Sequence, residues 1–450
     1  MDLEASEGDS SEEELEETAA EKRVRLAKAY LGKIQDDLDE DFAGGFNAAD
    51  LDRDLLAERL RHDDDEAAGK LHRRVADKFD YTALNESTTI HSKRGHQLAV
   101  TAVALTDNGL YYYSASKDGS IIKWDAKTME KLHVYPGGRK GVKDYIGHTD
   151  QVYCLATSAD NQYLASGGKD KIINIWSIKD NQHLATFTQH RDAVSGLAFR
   201  KGSNQLYSAS HDRTIKVWNI DERSYIETLF GHQDQITAID TLGRERCVST
   251  GGRDKTTRLW KIVEESQLVY RGGATTKNKT ENAANNNNSN RPIYVEGSLD
   301  SLAQIDESTF VTGGDSGVLS LWDINRKKPV FSLDQGHGIR TYDNDPAIKT
   351  PYWITALASL KYSDLFVSGS WDGQVRFWKL ASDNKSFSQV GQLAVKGCVN
   401  SLQIKTVSPG NHTYLVIGVG QELRLGRWLR LKDGAKNGSK LVELPLIKKN

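Results

Sequence analysis

The stretch YSASHDRTIKVWN, residues 207–219, brings Ser208, His211 and Asp212 close together, and His190 lies a short way upstream. These are the residue types of a hydroxyl nucleophile, a general base and an orienting carboxylate, so the first chemistry to test is acyl transfer. A reaction centre is needed once. This stretch recurs, as SASKDGSIIKWD (114–125), SGGKDKIINIWS (166–177), SASHDRTIKVWN (208–219), TGGRDKTTRLWK (250–261), TGGDSGVLSLWD (312–323) and SGSWDGQVRFWK (368–379), with a weaker copy, GVGQELRLGRW, ending at Trp428. A constellation repeated along one chain is a device of the fold, and catalysis is not expected from it.

The elements that must carry these residues follow from the spacing. Trp124, Trp176, Trp218, Trp260, Trp322, Trp378 and Trp428 are separated by 52, 42, 42, 62, 56 and 50 residues, near the period of propeller blades once loop insertions are allowed. Within a unit, short alternating runs such as VYCLAT, YLASGG, IINIWS and HLATFT are divided by Gly, Asp and Asn turns, which predicts four strands per unit. A lone four-stranded sheet cannot bury both faces, so seven units must stack into a closed ring. The expected fold is all-β, a seven-bladed propeller over residues 87–432.

Composition sets the remaining bounds. A 450-residue chain with 38% apolar residues can fill a large core, and no run approaches the 18 apolar residues of a membrane helix. Cys154, Cys247 and Cys398 are far apart and flanked by apolar residues, which predicts buried free thiols, with no disulfide, metal or cofactor. Nine of the first seventeen residues are acidic, so 1–15 is expected to be a disordered tail, with Ser10 and Ser11 in SSEEE as candidate phosphorylation sites. Residues 16–80 have the charged composition of a helical arm with few core residues, broken at Ala43-Gly44-Gly45. The Asn-rich insertion 271–292 is expected to be disordered, and 433–450 to be a C-terminal tail. Either Ser87–Ser92 or 440–447 could supply the outer strand that closes the ring.

With a Gly-His or Gln-His dipeptide ahead of each of the first four units, the repeats resemble the WD-repeat proteins. That resemblance implies buried hydrogen-bonded sets: His96/Ser114/Asp118/Trp124, His148/Ser166/Asp170/Trp176, His190/Ser208/Asp212/Trp218 and His232/Thr250/Asp254/Trp260. Unit five has Ser316 at the aspartate position. Unit six keeps Asp372 but shows no histidine before Trp353-Ile354, and unit seven has Glu422 for the aspartate and Gly418 for the serine. The second half of the ring is therefore expected to rest more on apolar packing.

The turns beside the aspartates lie on one face of such a ring. They present Lys117, Lys169, Lys171, His211, Arg213, Arg253 and Lys255 as a basic arc over units one to four, with Trp371 at the unit-six turn as a candidate to stack on an unpaired base. Arg424 and Arg427, with the loop around Arg340, form an alternative anion site. The stretches RDKTTRLWKIVEESQLVYRGG, GQELRLGRW and EETAAEKRVRLAKAYLGKI are similar to the WD-repeat family of the U3 small nucleolar ribonucleoprotein. The resemblance implies a non-catalytic subunit that binds U3 small nucleolar RNA at its box B/C element together with a kink-turn-binding protein. It further implies box C/D and small-subunit processome partners, a role in 18S ribosomal RNA processing, and a nucleolar location in the nucleus. No membrane or small-molecule substrate is expected. The competing expectation is a protein-only adaptor, a substrate receptor or peptide reader, which the same fold also serves.

Overall fold

Each repeat folds into an antiparallel four-stranded meander. The computed structural model describes residues 73–447 except 86–89, 94, 140–141, 143–144, 273–296, 343–344, 408–411 and 432–433, and among the described residues there are seven such sheets and one two-stranded hairpin. The protein is a seven-bladed β-propeller. Blade one, Val100–Leu105, Tyr111–Ser116, Ile121–Asp125 and Lys131–Tyr135, sets the pattern: the inner strand is buried at every residue, whereas the outer strand is largely exposed. Strands near the channel are covered by neighbouring blades on both faces, so they read as continuous apolar runs; those at the rim alternate. Cys154, Cys247 and Cys398 are buried free thiols, and burial pushes the Cys154 and Cys398 thiols up to about 12.

The blades are tied together around the channel by one side chain each. Thr101 donates to the Val152 carbonyl (2.5 Å), Cys154 to Val194 (3.6 Å), Ser195 to Ile236 (2.5 Å), Thr237 to Leu299 (2.6 Å), Ser301 to Ile354 (3.2 Å), Thr355 to Val399 (2.5 Å) and Asn400 to Val100 (2.8 Å). Each acceptor belongs to the following blade, and the last bond returns to blade one. In six blades the inner strand slips register at this point, between Val100 and Ala102 in blade one and Val194 and Gly196 in blade three, for example. A β-bulge re-aims a side chain, and in blades one, three, four and seven it turns the polar donor itself, Thr101, Ser195, Thr237 or Asn400, sideways into the next blade, whereas in blades two and five the donor is the residue after the shift, Cys154 or Ser301.

Closure uses both chain ends. In blade seven Cys398–Val407 and His412–Gly420 are the inner and second strands, Gly438–Glu443 is the third, and Ile90–Lys93 is the outer strand, with Ile90 opposite Val442. The two terminal segments thus occupy adjacent places and do not compete for one. The weak seventh copy is misread by its sequence: Trp428 lies in the loop between the second and third strands and is 61% exposed.

The stretch ahead of the ring also departs from expectation. Residues 73–85 hold two single 3₁₀ turns, Ala76–Lys78 and Ala83–Asn85, and Ala76, Phe79 and Leu84 are buried in the core shared by blades six and seven. The buried Asp364 carboxylate accepts from the Val75 and Ala76 amides (2.7 and 2.9 Å), and the Asp80 amide donates to the Pro445 carbonyl (2.8 Å). The acidic tail with Ser10 and Ser11, the helical arm up to residue 72 and nearly all of the Asn-rich insertion lie outside the described residues.

The inter-blade bonds predict the first outcome. Thr101→Val keeps the side-chain shape but leaves the Val152 carbonyl without this donor, and should lower unfolding free energy by about 1–3 kcal/mol. Denaturant titration would show this as a lower midpoint at unchanged slope; an unchanged midpoint would mean the bond contributes nothing to closure.

Candidate nucleic-acid interface

The histidine, aspartate, serine and tryptophan of blade three form one chain of hydrogen bonds. His190 Nδ1 lies 2.9 Å from Asp212 Oδ2, its Nε2 lies 2.8 Å from Ser208 Oγ, and Trp218 Nε1 donates to the same Oγ at 2.8 Å. With Nδ1 protonated, the imidazole donates to the carboxylate and Nε2 accepts the serine hydroxyl. Every member is then engaged in the chain: the imidazole has neither nitrogen open to take a proton and the hydroxyl proton is already committed. Burial pushes the Asp212 carboxyl up, but the bonds from His190 and Thr214 outweigh it and hold the group well below the usual range. Blade two repeats this with His148, Asp170, Ser166 and Trp176.

Three blades modify the pattern. In blade one His96 reaches Ser114 (2.8 Å) and Ser120 (3.0 Å), and Ser120 in turn donates to Asp118; His96 Nδ1 is 3.7 Å from that carboxylate, so the contact to Asp118 is relayed. Trp124 Nε1 donates to Ser114 as expected. In blade four the hydroxyl comes from Ser249, which meets His232 Nε2 and Trp260 Nε1 at 2.8 Å each, while His232 Nδ1 meets Asp254 at 2.9 Å. Thr250, the expected partner, faces the other way and bonds Thr237 (3.0 Å). One extra residue in the Gly251–Asp254 turn causes this, since a one-residue shift moves a side chain to the opposite sheet face. In blade six the missing histidine is His337, which meets Asp372 at 2.8 Å and Ser368 at 2.7 Å, with Trp378 donating to Ser368. It was hidden because the hairpin Ile339–Tyr342 and Asp345–Pro351 separates it from its blade. The polar sets therefore extend into the second half of the ring. Among the described residues blade five keeps only the Trp322 bond to Thr312 (2.9 Å).

The face that carries the aspartate turns divides the expected cations into two groups. Lys169, Arg213 and Arg253 are exposed and their side chains have no partner among the described residues; Lys171 is exposed and donates to the Arg191 carbonyl (2.7 Å), and Lys255 is half-buried. Half-buried Asp150, Asp192 and Asp234 alternate with them, each receiving a backbone amide. Two members do not belong to the arc. Lys117 is 5% exposed, donating to the Gly426 carbonyl (2.8 Å) and facing Glu422 (3.5 Å), and burial lowers its pKa. His211 is half-buried beside Tyr153, and burial, reinforced by Arg424, lowers its pKa, so it adds no charge at neutral pH.

Lys171, Arg213 and Lys255 follow the turn aspartates with φ of 70°, 70° and 53°, where blades one, five and six have Gly119, Gly317 and Gly373. Glycine suits this left-handed backbone better than any residue with a Cβ. Three neighbouring blades thus keep a cation where stability favours glycine.

The alternative site sits in the loop between the second and third strands of blade seven, residues 421–437. Arg424 reaches across the channel mouth to the Thr237 carbonyl of blade four (3.1 Å); burial lowers its pKa, and Asp300 opposes that. Arg427 is exposed near Glu422 (3.6 Å). Trp428 packs on Trp353 with ring centroids 4.8 Å apart, leaving Trp428 and Leu425 facing solvent. Trp371, expected to stand free, is 8% exposed: Tyr352 packs against it and the Arg340 guanidinium lies 5.0 Å over its ring. A base cannot stack on an indole covered in this way. Sequence reasoning missed Trp428, whose exposure became legible only once the third strand was known.

Comparison with known proteins follows the same outline. The family described as "WD domain, G-beta repeat" matches residues 87–125, 139–177, 181–219, 223–261 and 347–379. The chain is 43% identical over 430 residues to "U3 small nucleolar RNA-interacting protein 2" of Mus musculus, covering 95% of this chain and 83% of that protein. It is 32% identical over 519 residues to "Ribosomal RNA-processing protein 9" of Saccharomyces cerevisiae, covering 95% and 90%. A solved structure, "Structure of U3-55K", aligns at a TM-score of 0.70 and 43% identity, over 80% of this chain and 100% of that one.

The blade-four register predicts that Ser249→Ala, which strips His232 and Trp260 of their shared partner, costs about 1–3 kcal/mol, and that Thr250→Ala costs less. The same set predicts an acid limb. Hydrogen bonds from His232 and Thr256 outweigh burial and hold Asp254 at about 2, below the unfolded carboxylate value. Its contribution is therefore complete above about pH 4 and is lost as pH falls towards 2. Asp254→Asn should flatten that part of the stability–pH curve, measured by thermal melting; an unaltered curve would remove Asp254 from the account.

Proposed function

The chain belongs to the WD-repeat family of U3 small nucleolar RNA-interacting proteins, and from that premise we propose that it is a non-catalytic RNA-binding subunit of the U3 small nucleolar ribonucleoprotein, acting in ribosomal RNA processing. Within this reading the propeller engages the box B/C region of the RNA jointly with a kink-turn-binding protein, during 18S maturation in the nucleolus. Box C/D and small-subunit processome proteins are its further partners. The observation that carries the reading is the likeness over 95% of the chain to a protein named for that RNA. The cations of blades two to four support it, since they crowd one face on strained turn positions and a polyanion relieves their mutual repulsion. Five histidine-bearing sets, all internally bonded, supply no free nucleophile and base.

One observation favours the protein-only adaptor. The apolar pair Leu425 and Trp428 is exposed on the same face, as suits a protein partner. Salt separates the two readings, because neutralised phosphates release counterions and an apolar contact does not.

Reversing Lys169 and Arg253 together to Glu should weaken binding of U3 small nucleolar RNA and flatten log K against log salt by about 1.5, at about 0.7–0.9 per phosphate contact. The melting temperature should stay near that of the unmodified protein, because both side chains are exposed and have no partner among the described residues. Filter binding at stepped salt checks it. Unchanged affinity and slope would move the RNA off these blades and leave the Arg427 and Trp428 loop as the candidate.

A further inference from the structure

The outer half of blade three carries a cleft. It holds about 360 Å³ and is lined by Arg191, Arg213, Lys216, Thr228 and Phe230, with Asp212 at its floor. Phe230, at the end of the outer strand Ser224–Phe230, is 72% exposed. The Arg191 and Arg213 guanidiniums have no partner among the described residues. Lys216 is steadied by Thr228 (2.7 Å) and stands 5.2 Å over the Tyr225 ring. Asp212, the one carboxylate of the cleft, is already held by His190, Thr214 and the Arg191 amide. Positive charge is left over, next to a bare aromatic ring.

The repeats themselves act as a control. The position of Arg191 is Gln97, Thr149 and Gln233 in blades one, two and four, and that of Lys216 is Ile122 in blade one and Asn174 in blade two. Arg258 takes the latter place in blade four but is buried and bonded to Gln267 (2.8 Å). The fold forms without this combination three times over, so the fold does not require it.

Resting on the RNA reading above, we propose that this cleft is a subsite for an unpaired RNA nucleotide: a base stacks on Phe230 while Arg191 and Arg213 hold the adjoining phosphates. A flat apolar ring takes any base by its π-face, and guanidinium forks match phosphate oxygens. A duplex offers no free base face, which restricts the ligand to a single-stranded element. The cleft adjoins the Lys171 anchor at the Arg191 carbonyl, so it continues the cation track of blades two to four outward along the rim.

The test uses the full chain, a U3 small nucleolar RNA transcript, an oligouridylate and a serine-phosphorylated acidic peptide. Phe230→Ala removes an exposed ring, and Arg213→Gly places in blade three the residue that other blades use at this φ, so both variants should melt like the unmodified protein. Phe230→Ala should weaken oligouridylate binding between about 5- and 150-fold, the range for stacking one base on an aromatic ring. Arg191→Ala with Arg213→Gly should flatten its salt slope by about 1.4, from two single-strand phosphate contacts. If the transcript binds but the variants hold oligouridylate as tightly as the unmodified protein, the subsite is wrong and the RNA reading stands. Should the unmodified protein fail to bind the transcript, the RNA reading itself falls. Displacement of oligouridylate by the phosphopeptide, lost with the two arginines and indifferent to Phe230, would reassign the cleft to a protein and overturn the proposal.

Discussion

Every blade depends on a bond it makes to the next one. A hydroxyl, thiol or amide on or beside each inner strand donates to a carbonyl of the next blade, from Thr101 round to Asn400 and back to Val100. Those carbonyls sit at the narrowest part of the ring, where an unpaired acceptor costs about 1–3 kcal/mol. A single open link would leave a buried acceptor and an unanchored blade together. The bulges, the buried small polar residues and the closed shape are thus one constraint. The weakest link is the Cys154 thiol, a poor donor at 3.6 Å, in the blade whose bulge residue is Tyr153.

That constraint explains why the chain ends are woven together. A ring made from one chain must have a seam, and a seam between blades would rest on side chains alone. Here it falls inside blade seven, where the outer strand Ile90–Lys93 pairs along the third strand Gly438–Glu443. Backbone ladders close the ring, and the segment before it adds Phe79 and Leu84 to the same core. No residue of the seam pattern had to be unusual for this to happen.

The same point marks what could be read from the residues. The tryptophan spacing disclosed six of the seven blades because in each of those the indole reaches a hydroxyl ten or eleven residues earlier in the second strand, a local distance. Blade seven misled because GQELRLGRW copies a turn, a strand and a tryptophan, and only pairing with His412–Gly420 decides which later segment is the third strand. Ser249 and Thr250 carry equivalent hydroxyls, so one inserted turn residue left no trace in composition. His337 was in plain view as Gly336-His337, but its role depends on a hairpin that returns the chain to the blade. Of the expected cations, exposure separated Lys169, Arg213 and Arg253 from Lys117, whose burial comes from a loop some three hundred residues away.

A ring of near-identical blades has no inherent way to orient a ligand; the departures from symmetry do it. Blade seven lays its long loop over the channel mouth, carrying Arg424 to blade four and covering Lys117. Blade five has Ser316 at the aspartate position and Asp315 one residue earlier, where burial and the nearby Asp300 push its carboxyl up to about 6. An anionic chain approaching this face meets the exposed cations Lys169, Arg213 and Arg253 on blades two to four and half-buried acid on blade five. Blades six and seven present covered or apolar aromatics. The field therefore has a direction as well as a sign, and a structured polyanion can be held in one register by phosphates alone, before any base is recognised.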